Sequence, residues 1–140
     1  ACKRFALLAQ AREQGVRAMA REWVQGMVHP ARLGDADLIE RIITMFERKS
    51  ASTFECQIRA LLARPDASDV LRGIRVPTLL MCGRQDSWSP LVQHEAMQSL
   101  VPAAQLDVID SAGHMAPMER PDEVAHAMIQ WLQRWKQASP

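Results

Sequence analysis

Two stretches decide how this chain folds: VPTLLMCGRQDSWSP, residues 76–90, and AQLDVIDSAGHMAPMERP, residues 104–121. Val76 to Cys82 is a nearly unbroken apolar run ending at Gly83, the pattern of a strand covered on both faces. Leu106 to Asp110 alternates apolar and polar residues, as a half-exposed strand nearer an edge does. Between them, Ser89-Pro90 offers a helix N-cap with proline in the first turn, and Leu91, Ala96, Met97 and Leu100 supply a helical stripe. Strand, helix and strand in that order form a βαβ unit, so the two strands are expected to be parallel with a right-handed crossover.

Parallel strands open their C-terminal ends on one edge of the sheet, where ligand crevices form. Asp86 follows the first strand and His114 the second, each in a short loop. Neighbouring strands lie ~4.8 Å apart, so the two loops can bring carboxylate and imidazole into hydrogen-bond contact. A carboxylate on one ring nitrogen fixes the tautomer and stabilises the imidazolium formed when the other nitrogen takes a proton. Asp86 and His114 therefore read as the acid and base of a nucleophilic triad. Taken singly, each is more often a surface aspartate in a turn or a histidine in a glycine loop; the matched placement favours the catalytic reading.

GRQDSWSP followed by SAGHMAPMERP resembles the C-terminal signature of the α/β-hydrolase superfamily, on Gly83, Asp86, Gly113, His114, Glu119 and Pro121. The match is specific from about Ile74 to Trp135. The resemblance implies an α/β fold of which this chain is the C-terminal portion, with residues 1–68 as an all-helical lid or cap segment and 69–140 as the α/β segment carrying the acid and base loops. It also implies a nucleophile on a strand-to-helix elbow, usually G-x-S-x-G, preceding acid and base along the chain. The six glycines are Gly15, Gly26, Gly34, Gly73, Gly83 and Gly113, and no pair of them frames such an elbow. Cys2, Cys56 and Cys82 lack flanking glycines as well. The expectation is thus a fragment of a hydrolase of small esters, lactones or related carbonyl compounds, with His114 as base, Asp86 as its orienting acid and the nucleophile elsewhere. Lid tyrosines serve the family's epoxide hydrolases, and this chain has no tyrosine. The competing class is a non-catalytic member of the fold, a ligand receptor or interaction module.

Composition narrows the rest. The chain has 140 residues, of which 48% are apolar and 24% charged. That is enough for one ordinary soluble domain. A net charge of +1 gives no basic surplus for nucleic acid or an anionic membrane. No apolar run approaches the ~20 residues of a membrane span, and ACKRFALL lacks a signal-peptide core. Three scattered cysteines suit reduced thiols in a cytoplasm, no Cys/His spacing resembles a zinc site, and the triad scheme needs neither metal nor cofactor. The helix-forming run starts at the first residues, which reads as a cut inside a longer protein.

Upstream, Phe5, Leu8, Ala9, Val16, Met19, Trp23 and Met27 form one apolar side, with Gly15 separating two helices or marking a bend and His29-Pro30 ending the helical stretch. Asp35 is placed to cap a helix through Leu38, Ile39, Ile42, Ile43 and Phe46. Ser52 and Glu55 match a capping box for the next helix, with Phe54, Ile58, Leu61 and Leu62 on its buried side. After the base loop, Val124, Met128, Trp131 and Trp135 form the inner stripe of a final helix opened by Pro121. Trp88 and Met115, with Met118, adjoin the acid and base; lining a substrate pocket and packing beneath the loops have even claims on them. Glu119 is better suited to tying down the His114 loop than to chemistry. Finally, one strand with a single partner leaves an open edge, so the chain is expected to associate, with its missing N-terminal half or a second copy, as a homo-oligomer.

Overall fold

The computed structural model describes the backbone of residues 2–138 and the side chains of residues 3–137; Ala1 and the Cys2 thiol lie outside that range. The chain divides into two compact units, residues 1–25 with 30–65, and residues 26–29 with 66–140. The short segment 26–29, inside the stretch expected as lid, belongs by its contacts to the second unit.

The first unit is helical: α1 (Cys2–Glu13), α2 (Val16–Trp23), α3 (Ala36–Glu47) and α4 (Ala51–Leu62). Gly15 breaks α1 from α2 at φ 89°, a conformation that glycine adopts without strain. Leu8, Ala11, Met19, Phe54 and Ile58 form its core. Trp23 packs between Phe46 and Phe54, with ring centroids 4.8 and 5.1 Å away. Asp35 caps α3, accepting from the Leu38 amide at 3.0 Å.

Several local expectations are corrected. The helix does not run to His29: α2 stops at Trp23, and a 3₁₀ turn follows over Val24–Gly26. The cap of α4 is Ser50, whose Oγ accepts from the Thr53 amide at 3.1 Å. Glu55 is thereby released from a capping box and pairs with Arg12 and Arg59 instead. Ser50 and Ser52 compete for one role. Ser50 takes it because its backbone is extended, at φ −83° and ψ 161°, as a cap requires. Phe5, Leu61 and Leu62 are exposed, and Ala11 rather than Ala9 enters the core.

The second unit contains α5 (Ser68–Gly73), β1 (Thr78–Gly83), α6 (Leu91–Leu100), β2 (Ala104–Ile109), α7 (Ala116–Glu119) and α8 (Pro121–Ala138). The strands pair in parallel with α6 between them, from Thr78 opposite Ala104 to Gly83 opposite Ile109. Pro90, not Ser89, occupies the N-cap of α6, without a side-chain cap. Ile109, Ala112 and Ala116 form the core, packed by Met81, Val124 and Ala127. β1 is less covered than its apolar run implies: Leu79, Leu80 and Met81 are half-buried, and Val76 is 66% exposed. Of the final helix's stripe only Val124 and Trp131 are partly buried, while Met128 and Trp135 are exposed. Beyond its first turns α8 is therefore weakly covered within this chain.

The strand ends meet with no room to spare. A Cβ on Gly83 would stand 2.2 Å from the Gly113 carbonyl oxygen and 2.4 Å from that of Ala112. Backbone cannot yield as a side-chain tip can, so Gly83→Ala should cost on the order of 3 kcal/mol or more. Gly73→Ala is the control, because nothing lies within 4 Å of its added Cβ. It should leave stability within about 1 kcal/mol. Urea unfolding midpoints of the two variants test this; equal midpoints would refute the close approach.

Candidate active site

The site is built from two turns at the C-terminal edge of the sheet. After β1 the chain reverses through Gly83–Asp86: the Arg84 amide donates to the Ile109 carbonyl at 2.9 Å, and the Gln85 amide to Ala112 at 2.9 Å. The turn carrying Asp86 is thus stitched to the one carrying His114 by backbone bonds. Arg84 and Asp110 add a side-chain ion pair across the same gap. After β2, Ser111 sits at φ 54°. This left-handed conformation swings the chain toward Gly113 and His114.

This geometry brings Asp86 and His114 together. Asp86 Oδ2 lies 2.8 Å from His114 Nδ1. A carboxylate accepts only, so Nδ1 carries the proton and donates, and Nε2 is left with its lone pair. Asp86 Oδ1 accepts from the Trp88 amide at 2.8 Å and the Ser89 amide at 2.9 Å, which locks the carboxylate in its turn. Exposure divides the labour: the Asp86 side chain is 5% exposed and that of His114 39%. The acid is hidden while the imidazole faces outward.

Burial pushes the Asp86 carboxyl up, but the Ser89 amide, the His114 imidazole and the Trp88 amide outweigh it, and its pKa lies below the ordinary carboxylate value. Next to it, burial foremost and then the Asp86 charge push the Cys82 thiol up. Cys82 is thus a neutral filler rather than a thiolate.

The indole of Trp88 packs on the His114 ring, centroids 5.1 Å apart and planes at 43°. Gly26 permits this placement, since a Cβ there would stand 2.9 Å from the indole Nε1. A cavity of about 390 Å³ adjoins the dyad, lined by Met81, Cys82, Ser89, His94, Pro117 and Met128 together with Asp86 and His114. Neither Trp88 nor Met115 is among its lining residues. Met115 is half-buried, and its amide donates to the Met27 carbonyl at 3.1 Å. Among the described residues no group of His, Cys, Asp and Glu is placed to hold a metal ion, and no helix is long and apolar enough to cross a membrane.

The sequence favours His29 as a functionless loop histidine over one lining a substrate entrance, and it does not mark the 26–29 backbone as part of the site. Ser87 Oγ donates to the Gly26 carbonyl at 3.1 Å, and Glu119 Oε1 accepts from the His29 amide at 2.6 Å. Those partners are backbone atoms, which carry no side-chain signature; the signals in the sequence are the punctuation by Gly26 and Pro30 and the apolar Met27, which is buried.

The profile of the Alpha/beta hydrolase family matches residues 3–127, across both loops and the helices before them. The chain belongs to the α/β-hydrolase family. It is 31% identical over 67 residues to a proline iminopeptidase of Lacticaseibacillus rhamnosus (strain Lc 705), a match covering 48% of this chain and 23% of that protein. Among solved structures, a thermophilic esterase from Thermogutta terrifontis is 28% identical with a TM-score of 0.75, covering 94% of this chain and 49% of that one. The enol-lactonase from Burkholderia xenovorans LB400 shares the fold with a TM-score of 0.80 at 19% identity, covering 92% and 49%. The chain thus spans about half the length of these solved hydrolases.

The depressed Asp86 pKa has a pH consequence. Its folded value lies below the ~3.9 of an unfolded aspartate. Its stabilisation is therefore complete above that value and is lost as pH falls through the lower folded one. Asp86→Asn should lower stability at pH 7 by about 2 kcal/mol, the scale of hydrogen bonds to a charged group. The deficit should shrink below about pH 4, where the wild type alone loses stability. Denaturation of both proteins from about pH 2 to neutral pH checks this; a pH-independent gap would show that the carboxylate charge contributes nothing.

Proposed function

We propose that this chain supplies the base and orienting acid of an α/β-hydrolase acting on small esters, lactones or related carbonyl compounds. The single observation that carries the reading is the 2.8 Å bond between Asp86 Oδ2 and His114 Nδ1 at matched ends of two parallel strands. Asp86 holds the Nδ1–H tautomer, leaving Nε2 to take the proton of a nucleophile hydroxyl as it attacks the carbonyl carbon. The imidazolium so formed is stabilised by the Asp86 charge and then returns the proton to the leaving group. A water repeats the cycle to release the acid. The nucleophile is assigned to a serine elbow outside residues 1–140, because none of the chain's glycines frames one.

In the same reading the helices of residues 1–68, the 26–29 segment excepted, act as a lid over the substrate, and Trp88 and Met115 contact its apolar portion from outside the cavity beside the dyad. The esterase and lactonase neighbours favour ester and lactone chemistry. A cytoplasmic, cofactor-independent enzyme is the matching cellular role. The partner covering the open edge of β1 is the other half of the hydrolase or a second copy. The exposure of Val76, Val92, Met128 and Ile129 supports such association. The competing reading is a ligand-binding or interaction protein of the same fold, favoured by the absence of a G-x-S-x-G elbow within the chain.

The chain alone should turn over p-nitrophenyl acetate no faster than free imidazole, and none of its serines should label with a fluorophosphonate. Stoichiometric labelling of a serine within 1–140 would overturn the assignment of an external nucleophile. In a longer protein with the elbow, His114→Ala should lower kcat by about three orders of magnitude or more, since triad members act as a unit. Retained turnover would remove His114 from the role of base. Sedimentation at micromolar concentration should show association; a monomer that binds no hydrophobic dye would remove the partner from the scheme.

A further inference from the structure

Glu119 is 3% exposed, one of two charged residues buried among those described. A buried carboxylate is costly unless its oxygens are satisfied by donors. Both are: Oε2 accepts from the Gly113 amide at 2.8 Å and Oε1 from the His29 amide at 2.6 Å. The two donors come from segments far apart in sequence, and one is the residue immediately before the base. Around this bridge the backbones are in contact, since a Cβ on Gly113 would meet the Met27 carbonyl oxygen at 2.7 Å and the His29 nitrogen at 2.9 Å. The Met115 amide, on the other side of His114, donates to the Met27 carbonyl at 3.1 Å. The acid turn grips the same segment through Ser87 Oγ and the Gly26 carbonyl. Segment 26–29 is therefore a brace touched by both loops.

We propose that Glu119 is a positioning residue for His114: by bridging the Gly113 and His29 amides it clamps the base loop to the 26–29 brace and holds the imidazole at Asp86. The inference rests on the reading of His114 as the base. The carboxylate is needed because two separate oxygens each take one N–H. A glutamine has one acceptor oxygen, and its amide group would turn a donor toward a donor. Asp86 fixes one ring nitrogen, and Glu119 fixes the backbone from which the ring hangs; without the second, the first must hold a mobile loop.

Residue-resolved amide exchange and imidazole NMR on this chain test the clamp without substrate. In the wild type the Gly113 and His29 amides, which lie outside any helix or strand, should be protected, and the His114 Nδ1 proton should give a downfield resonance in slow exchange. Glu119→Gln should speed exchange at those amides by about ten- to a hundredfold, the loss expected for a hydrogen bond to a charged group. It should also broaden the Nδ1 resonance while the far-UV spectrum is kept. Glu123→Gln, at an exposed position of α8, should change none of these. The milder Glu119→Asp, whose carboxylate is withdrawn by one methylene, should release at least one amide and weaken the Nδ1 signal. Fast exchange at either amide in the wild type would overturn the bridge. A folded Glu119 variant with an unaltered Nδ1 resonance would leave it structural only and overturn the positioning role. Retained turnover in His114→Ala would instead sink the base assignment, with the exchange results standing.

Discussion

The parallel register of β1 and β2 is the constraint from which the site follows. Because Gly83 stands opposite Ile109, the acid and base turns leave the sheet side by side, and the only way on is through each other's backbone. Two amides of the acid turn donate to carbonyls of the second strand and its turn. Gly83 has no side chain to keep Ala112 and Gly113 away. A shift of one residue in register would move the turns by about 3.3 Å and undo every one of these bonds. The Asp86–His114 contact is the visible product, but the register carries it.

Buried negative charge is arranged on the same principle. Among the described residues the two buried carboxylates, Asp86 and Glu119, each accept from backbone amides, and each holds a different part of the base loop. Asp86 meets the ring and Glu119 the chain. Neither contact asks the imidazole itself to be buried; burial would disfavour the cation that the proposed mechanism forms. In the proposed role, a half-exposed His114 leaves Nε2 open to a reaction partner from outside this chain.

The βαβ unit and the Asp86–His114 pairing were legible in the sequence because they rest on side-chain pattern: an apolar run, a glycine, an acid, then a glycine-histidine loop. The family resemblance lay in the same residues. Extents and caps were harder to read. Val76–Cys82 has the composition of a doubly covered strand, yet most of its side chains are only half-buried or exposed in this chain; composition records what a strand can bury, not what is present to cover it. Ser50 took the cap that Ser52 could equally have supplied, because capping depends on backbone dihedrals that the two serines do not advertise. Met27 to His29 read as the end of a helix, when the helix had already stopped at Trp23.

The 26–29 segment is silent in the sequence for a physical reason. The brace binds through its main chain: carbonyls at 26 and 27 accept and an amide at 29 donates. These bonds ask for no particular side chain, so residue type marks Met27 and Val28 only as buried apolar residues and not as part of a brace. Two positions do constrain it. Gly26 must stay small beneath the Trp88 indole, and residue 29 must keep an N–H. Proline stands at 30, one position past the donor, where its missing N–H costs the bridge nothing and its ring still restricts the residue before it. At 29 the same proline would leave one oxygen of Glu119 without the donor it now has. The order His-Pro, which by itself says only that a helix ends, is thus also the order that leaves Glu119 its second hydrogen bond.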